Sequence, residues 1–268
     1  MDLARLSLNT ITLRQWSLAQ CIEACARHGI PAIAPWRDKL AEMGLAPAAR
    51  AIRDAGLQVS GLCRGGMFTS VPLRQAIEDN HRAIDEAHAL GADCLVMVCG
   101  GLLPGSRDLP AARARIEEGL HAILPYARSA NVTLALEPLH PMTAADRSVL
   151  NTAAQALALA TRLGEGAALA LDAYHIWWDP TLPETIAACV GQIAAYHVCD
   201  WLVPTTDLVQ DRGMMGDGAI DLPALATLMN GAGYTGFVEV EIMSARNWWT
   251  RDGDEVLRII KDRFATAC

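Results

Sequence analysis

Residues 132–137 read VTLALE, a short apolar run that ends in an acidic residue. The same pattern returns further along the chain, in ALALD at 168–172, AAYH at 194–197 and FVEVE at 237–241. In a barrel of parallel strands, the residues at the carboxyl ends of the strands converge at one mouth. The four segments therefore predict barrel strands that each end in one polar side chain: Glu137, Asp172, His197 and Glu241.

Side-chain alternation within these segments supports the prediction, because neighbouring residues on a strand face opposite sides of the sheet. Glu137 shares its side with Ala135, whereas Leu136 lies on the other. The other three segments alternate in the same way, so we expect bulky aliphatic residues to face surrounding helices and the polar residues to point into the barrel. A solvated polar residue at a strand end would explain any one of them, but the shared parity of all four favours a common site.

Apolar runs alternate with longer stretches of helical periodicity along the chain, which predicts βαβ units and a parallel sheet. The 268 residues are close to the roughly 250 of a typical eight-fold barrel, so we predict a single α/β domain, residues 1–268, with the (β/α)8 TIM-barrel fold. The predicted strands are 5–11, 31–35, 57–62, 93–98, 132–137, 168–172, 194–198 and 236–241. The predicted helices are 17–28, 38–55, 73–90, 111–130, 150–163, 182–191, 222–232 and 253–265.

The overall composition restricts the partners of the chain. Its formal net charge is -8 and its only lysines are Lys39 and Lys261, whereas a nucleic-acid-binding protein normally presents a basic face to phosphates. Eight cysteines occur without a CxxC pair, and the first ten residues lack the apolar core of a secretory signal. We therefore expect no nucleic-acid partner and a reducing, cytoplasmic location. No uncharged apolar run reaches the roughly 18 residues of a membrane span.

The longest predicted irregular stretch, residues 201–221, follows the seventh strand, and loops of that length are usually functional. It contains the segment DRGMMGDGAID. A fixed cation at Arg212 could hold a negatively charged intermediate or a pair of hydroxyl groups. The alternative is a salt bridge within the loop, to Asp207, Asp211 or Asp217.

Five segments occur in an order that resembles a known superfamily: LALEPLHP at 134–141, LDAYHIWWDP at 171–180, YHVCD at 196–200, DRGMMGDGAID at 211–221 and GYTGFVEVEI at 233–242. The chain resembles the sugar isomerase and epimerase superfamily of xylose isomerase-like TIM barrels. Ketose 3-epimerases, hydroxypyruvate isomerase, inosose isomerases and dehydratases, and endonuclease IV belong to it. The match covers the C-terminal half, while the N-terminal half carries only general barrel character.

The resemblance implies a set of metal ligands, carried over by motif: Glu137 from E-P, Asp172 from D-x-x-H, His197 from H-x-x-D/E and Glu241 after G-Y-x-G. One divalent ion is expected, because the third and fourth predicted strands lack the extra histidines with which endonuclease IV builds a three-metal cluster. Three carboxylates and an imidazole favour Mn or Mg, and such sites also accept Co or Zn. Glu239 shares the parity of Glu241 but lies deeper, so we expect it to be a buried supporting carboxylate.

This ligand set predicts an isomerase or epimerase of a sugar or keto-polyol that acts through an enediolate, with the metal as Lewis acid. Glu137 and Glu241 are the expected acid and base groups. The three carboxylates leave a divalent site with a charge of minus one, which favours a neutral hydroxyketone. Loss of a β-hydroxyl group would instead make the protein a keto-sugar or inosose-type dehydratase. A non-catalytic sugar-binding or partner subunit is the alternative from another class.

Further residues near the strand ends are candidates for the same site. His175 is expected to reach the substrate oxygen on which negative charge develops. Arg64, in CRGGMF after the third predicted strand, is expected at the mouth, where it could select a carboxylate, a phosphate or a ring hydroxyl. His140 and Asn9 are candidate substrate contacts, and for Asn9 a buried hydrogen-bonded role is the alternative. The tryptophan pairs 177–178 and 248–249 could cover a sugar, or else serve packing or the interface of a homo-oligomer.

Overall fold

A parallel β-barrel surrounded by helices forms the protein in the computed structural model, which describes residues 1–268. The barrel sheet has the strand order β3-β2-β1-β11-β8-β7-β6-β5-β4, and β9 and β10 form a separate two-stranded sheet. The strands are β1 (Leu6–Asn9), β2 (Ala32–Ala34), β3 (Gln58–Val59), β4 (Leu62–Gly66), β5 (Cys94–Val98), β6 (Thr133–Leu136), β7 (Ala167–Asp172), β8 (Ile193–Val198), β9 (Asp200–Trp201), β10 (Arg212–Gly213) and β11 (Val238–Val240). The predicted TIM-barrel fold is confirmed.

The third barrel strand is interrupted, so that nine segments occupy eight positions. Its first part, β3, pairs with β2, and its second part, β4, pairs with β5. A parallel bridge between Trp36 and Cys63 joins β4 to the segment after β2. A second parallel bridge, between Val59 and Ala92, joins β3 to the segment before β5. The predicted strand 57–62 is therefore correctly placed but ends too early. Arg64 lies within β4 instead of following it.

The helices are α1 (Leu18–His28), α2 (Arg37–Met43), α3 (Leu45–Asp54), α4 (Leu73–Leu90), α5 (Leu109–Ser129), α6 (Ala153–Leu163), α7 (Ala173–Ile176), α8 (Leu182–Ala188), α9 (Leu222–Gly231) and α10 (Gly253–Ala267). The predicted helix 38–55 is two helices, because Gly44 has a φ of +84° and a ψ of 141°, which no helix accommodates. The short helix α7 was not predicted. None of the helices combines the length and the apolar composition needed to cross a bilayer.

The core has two parts, as the side-chain parity predicts. The larger is a cluster of 68 buried residues that lies mainly between the sheet and the helices. The smaller cluster lies inside the barrel and consists of small side chains: Cys94, Val96, Ala135, Ala170 and Ala195. Small interior residues leave the polar side chains at the strand ends free to turn inward.

Candidate metal centre

Four side chains at the carboxyl ends of barrel strands converge inside the mouth. Glu137 directly follows β6, Asp172 ends β7, His197 lies in β8 and Glu241 directly follows β11. All four are buried, and one ligand atom from each lies within 4.8 Å of the others. Three carboxylates and an imidazole at this spacing could hold a divalent metal ion.

The imidazole of His197 is oriented for coordination. Its Nδ1 atom lies 3.5 Å from Oε1 of Glu137 and 3.7 Å from Oε2 of Glu241, and it has no hydrogen-bond partner. Its Nε2 atom lies 3.2 Å from Oε2 of Glu239. A histidine that binds a metal commonly directs its second ring nitrogen to a carboxylate. The unpartnered Nδ1 atom and the acids around it therefore fit a cation between them.

Glu239 lies deeper in the barrel than the four converging residues. Its carboxylate accepts hydrogen bonds from Oγ of Ser60 at 2.9 Å and from Nδ2 of Asn9 at 3.2 Å, in addition to facing His197. Burial raises the pKa of Glu239, and the charge of His197 partly offsets that effect. Glu239 thus occupies the supporting position expected from the sequence.

The Glu239→Gln variant is expected to bind a divalent metal about 10- to 100-fold more weakly than the wild type, the usual effect of losing a carboxylate behind a ligating histidine. The amide keeps the size of the side chain but removes the charge that faces Nε2 of His197. Titration of metal-free protein with Zn²⁺ or Mn²⁺ measures the affinity. Glu118→Gln, on the exposed side of α5, is the matched control. Equal affinities in the two variants would contradict a supporting role.

Asn9 uses its amide group entirely within the protein. Its Nδ2 atom donates to Glu239 and, at 3.3 Å, to Oε1 of Glu241, while its Oδ1 atom accepts from Nε1 of Trp36 at 2.8 Å and from the amide of Ile11. Asn9 is completely buried. Its surroundings fit the alternative of a hydrogen-bonded buried asparagine, and a contact with substrate stays a prediction.

Arg212 reaches the acids from the long loop, in which β9 and β10 form an antiparallel ribbon. Its Nη1 atom donates to Oδ2 of Asp172 at 2.8 Å and to Oε2 of Glu241 at 3.1 Å. The guanidinium group is buried and lies 4.4 Å from the ring centre of Tyr174. Arg212 therefore pairs with acids of the site, and the alternative salt bridges within the loop are not formed.

Asp200, which is absent from the predicted site, holds this loop in place. Its buried carboxylate accepts hydrogen bonds from the backbone amides of Gly216 at 2.9 Å, Gly218 at 2.8 Å and Ile220 at 3.0 Å. A side chain at Gly218 would overlap the carbonyl oxygen of Trp201, so glycine is required there. The acidic residue that closes YHVCD, at the fixed spacing after the histidine, is the sequence signal that could have identified this anchor.

His175 borders the cluster, whereas the ring of His140 does not. Nε2 of His175 lies 3.2 Å from Nη2 of Arg212, and its Nδ1 accepts from the backbone amide of His140 at 3.2 Å. Burial, together with the charge of Arg212, holds the pKa of His175 well below its ordinary value, so the imidazole is neutral. The His140 ring packs against Trp178 and Trp201 with centroid distances of 5.5 and 5.1 Å. A contact between His140 and substrate stays a prediction.

The charges of the cluster compensate one another unevenly. Burial raises the pKa of Asp172 to about 7, although Arg212 opposes the shift. Burial also disfavours the charged form of Glu241, but the neighbouring imidazole of His197 and the charge of Arg212 outweigh it and lower that pKa to about 2. For His197, the surrounding glutamates outweigh burial and raise the pKa well above its ordinary value. Glu241 is thus held in its charged form, whereas a bound cation would favour the charged form of Asp172.

A small pocket adjoins the cluster. It is lined by Glu137, Glu241, His175 and Arg212, by two further arginines and by the apolar side chains of Trp36, Leu139 and Met243. The two arginines are Arg64, expected at the mouth from the sequence, and Arg147, which was not. None of the tryptophans at 177, 178, 248 and 249 lines this pocket.

Together, the barrel and the acids that converge at its mouth identify the class of protein. The family model described as "Xylose isomerase-like TIM barrel" matches residues 22–262, and the chain belongs to this family. The resemblance inferred from the five sequence segments is therefore confirmed. No curated protein matches the chain.

Solved structures agree with the family. The crystal structure of protein SMc04130 from Sinorhizobium meliloti 1021 is similar over 100% of this chain and 99% of that chain, with 50% sequence identity and a TM-score of 0.97. The IOLI protein with a binding zinc atom has 21% identity and a TM-score of 0.85, covering 98% and 97% of the two chains. D-allulose 3-epimerase from Methylomonas sp. in complex with D-allulose has 18% identity and a TM-score of 0.79, covering 100% and 98%.

Proposed function

We propose that the protein is a divalent-metal-dependent isomerase or epimerase of a sugar or keto-polyol. The observation that supports it is the convergence of Glu137, Asp172, His197 and Glu241 beside a pocket that is lined by further charged side chains. The donor set favours Mn or Mg and accepts Co or Zn. A bound divalent ion would polarise the substrate carbonyl and so acidify the neighbouring C–H bond.

Two glutamates are suited to move that proton. Glu137 and Glu241 both line the pocket and extend from strands that are separated by β7 and β8 in the ring. Glu241 is fixed by hydrogen bonds from Asn9 and Arg212, whereas the carboxylate of Glu137 has only the 3.5 Å contact with His197. We assign removal of the proton to one glutamate and its return to the other, from a different side of the substrate. Return to the same carbon gives epimerisation, and return to the adjacent carbon gives isomerisation.

Arg212 and His175 are suited to stabilise negative charge that develops on the substrate oxygen. Both line the pocket, and both are buried, where low local polarity strengthens an electrostatic interaction. Because His175 is neutral, it can donate a hydrogen bond without adding a second positive charge beside Arg212. Asp200 would act indirectly, by holding the loop that carries Arg212.

Removal of the metal by chelation is expected to abolish exchange of the substrate's α-C–H proton with solvent deuterium. Titration with Mn²⁺, Mg²⁺, Co²⁺ or Zn²⁺ should restore it, and nuclear magnetic resonance of a panel of ketoses in D₂O measures both. A dehydrated product would assign the protein to the lyase alternative. Exchange that persists without metal would contradict the proposal, and a folded, metal-loaded protein with no exchange on any ketose would favour the binding-subunit alternative.

The remaining expectations belong to the same proposal. Residues 1–268 act as one domain, and the partner is a small molecule instead of a nucleic acid or a membrane. All eight cysteines are unpaired, which supports a reducing compartment such as the cytoplasm. Assembly into a homo-oligomer is compatible with this function and would be measured by sedimentation.

A further inference from the structure

Two arginines of the pocket have no acidic partner. The guanidinium group of Arg64 contacts only Sδ of Met67, at 2.9 Å, and that of Arg147 makes no hydrogen bond or ion pair. Both side chains are partly buried. By contrast, the partly buried Arg37 pairs with both Asp79 and Glu86. Because a partly buried charge without a partner is costly, two such groups in one pocket indicate a missing anion.

The segment that carries Arg64 is rigidly held. The buried side chain of Asn80 accepts a hydrogen bond from the amide of Gly66 at 2.7 Å and donates to its carbonyl oxygen at 2.9 Å. Gly66 has a φ of +100°, and a side chain there would overlap the carbonyl oxygen of Val98. Contacts at Gly66 therefore hold the backbone two residues after Arg64 in place.

The backbone at Arg147 is braced in a comparable way. Its carbonyl oxygen accepts from the amide of Gly100 at 3.0 Å, which joins the loop after β6 to the loop after β5. A side chain at Gly101 would lie 2.6 Å from the carbonyl oxygen of Ala145, so glycine permits this close approach. Arg147 is thus presented to the pocket by a backbone with specific contacts on both sides.

The local charge balance indicates which kind of anion fits the pocket. Arg64, Arg147 and Arg212 bring three guanidinium groups to one pocket. With a divalent ion bound and the four buried carboxylates Glu137, Asp172, Glu239 and Glu241 deprotonated, the three guanidinium groups and the ion exceed these acids by one positive charge. The excess matches a single negative charge. A charge count of the metal and its ligands alone favoured a neutral hydroxyketone, because that count does not include Arg64 and Arg147.

We propose that the substrate is a keto-sugar acid and that Arg64 and Arg147 bind its carboxylate. This inference rests on the proposed function, since the metal centre would bind the hydroxyketone end of the same molecule. The forked guanidinium group matches a carboxylate through two parallel hydrogen bonds. A phosphate group shares that chemistry, but its second negative charge exceeds the single positive charge that the site leaves uncompensated.

Three probes with the same carbon chain test the proposal: D-fructose, D-fructuronate and D-fructose 6-phosphate, which differ only at carbon six. Calorimetric titration of the metal-loaded full chain is expected to show fructuronate binding at least about tenfold more tightly than fructose. Arg64→Gln and Arg147→Gln should each remove about tenfold or more of that preference, measured as the ratio of the two affinities in each variant. Arg50→Gln, on the exposed face of α3, makes the same charge change elsewhere and should retain it.

Metal titration of every variant separates this inference from the proposed function. Loss of metal binding in the wild type would undermine the proposed function. Intact metal binding with fructose bound as tightly as fructuronate, or with no fructuronate binding, would overturn the inference alone. Tighter binding of fructose 6-phosphate than of fructuronate would overturn the carboxylate assignment, and a preference that survives in both arginine variants would overturn the assignment of the residues.

Discussion

The Glu241→Gln variant is expected to lose at least about 1000-fold of its proton-exchange rate on a ketose substrate while it retains its fold. Glu241 is proposed both to bind the metal and to transfer the substrate proton, and an amide does neither well. The substitution preserves the size of a buried side chain that Asn9 and Arg212 hold in place. Arg212 also keeps its 2.8 Å ion pair with Asp172, so its charge stays compensated.

Two measurements distinguish the two proposed roles of Glu241. Metal titration reports on ligation, and deuterium exchange at saturating metal reports on proton transfer. Glu165→Gln, at an exposed position before β7, is the matched control and should behave as the wild type in both. Exchange at the wild-type rate in Glu241→Gln would remove this residue from the acid–base role.

Replacement of Gly66 by alanine is expected to lower the free energy of unfolding by at least about 3 kcal/mol, since it combines an unfavourable φ with overpacking. The new Cβ atom would overlap the carbonyl oxygen of Val98, an atom fixed by the pairing of β4 with β5. Neither strand can move without disturbing its other contacts. Denaturant unfolding, followed by circular dichroism, measures the loss.

Gly91→Ala is the matched control for this effect. Gly91 ends α4 with a φ of +66°, and a Cβ atom there would have no neighbour within 4 Å. Its expected cost is therefore only the conformational penalty of about 1 to 2 kcal/mol. Similar losses in the two variants would mean that the overlap at Gly66 is relieved by local adjustment, and that the brace behind Arg64 is less rigid than the contacts indicate.

The barrel and the position of its acids were predictable because both depend on short-range patterns. Side-chain alternation within VTLALE places Glu137 on the same side of the sheet as Ala135. The strands are parallel, so the polar residues at their carboxyl ends converge at one mouth of the barrel. The interruption of the third strand was not predictable in this way. At the interruption, the hydroxyl group of Ser60 donates a hydrogen bond to Glu239, a residue 179 positions away in the chain, and no local pattern indicates such a contact.

Arg147 shows where sequence patterns stop being informative. It belongs to an irregular segment that contacts distant backbone, such as the pairing of Gly100 with the segment around Arg147. No periodicity marks such a contact in advance. Arg212 was identified from its segment, but its pairing with Asp172 and Glu241 depends on how the β9–β10 ribbon folds over the mouth.

The acids and the two unpaired arginines belong to separate parts of the chain. The four proposed metal ligands lie at the ends of β6, β7, β8 and β11, which are the fifth to eighth strands of the barrel. Arg64 lies in β4, which is part of the third barrel strand, and Arg147 lies in a connecting loop. Mutation can therefore alter molecular selectivity without touching the reactive groups. Exchange of the two cationic side chains could give barrels of one ancestry different substrates while the proposed ligand set is inherited unchanged.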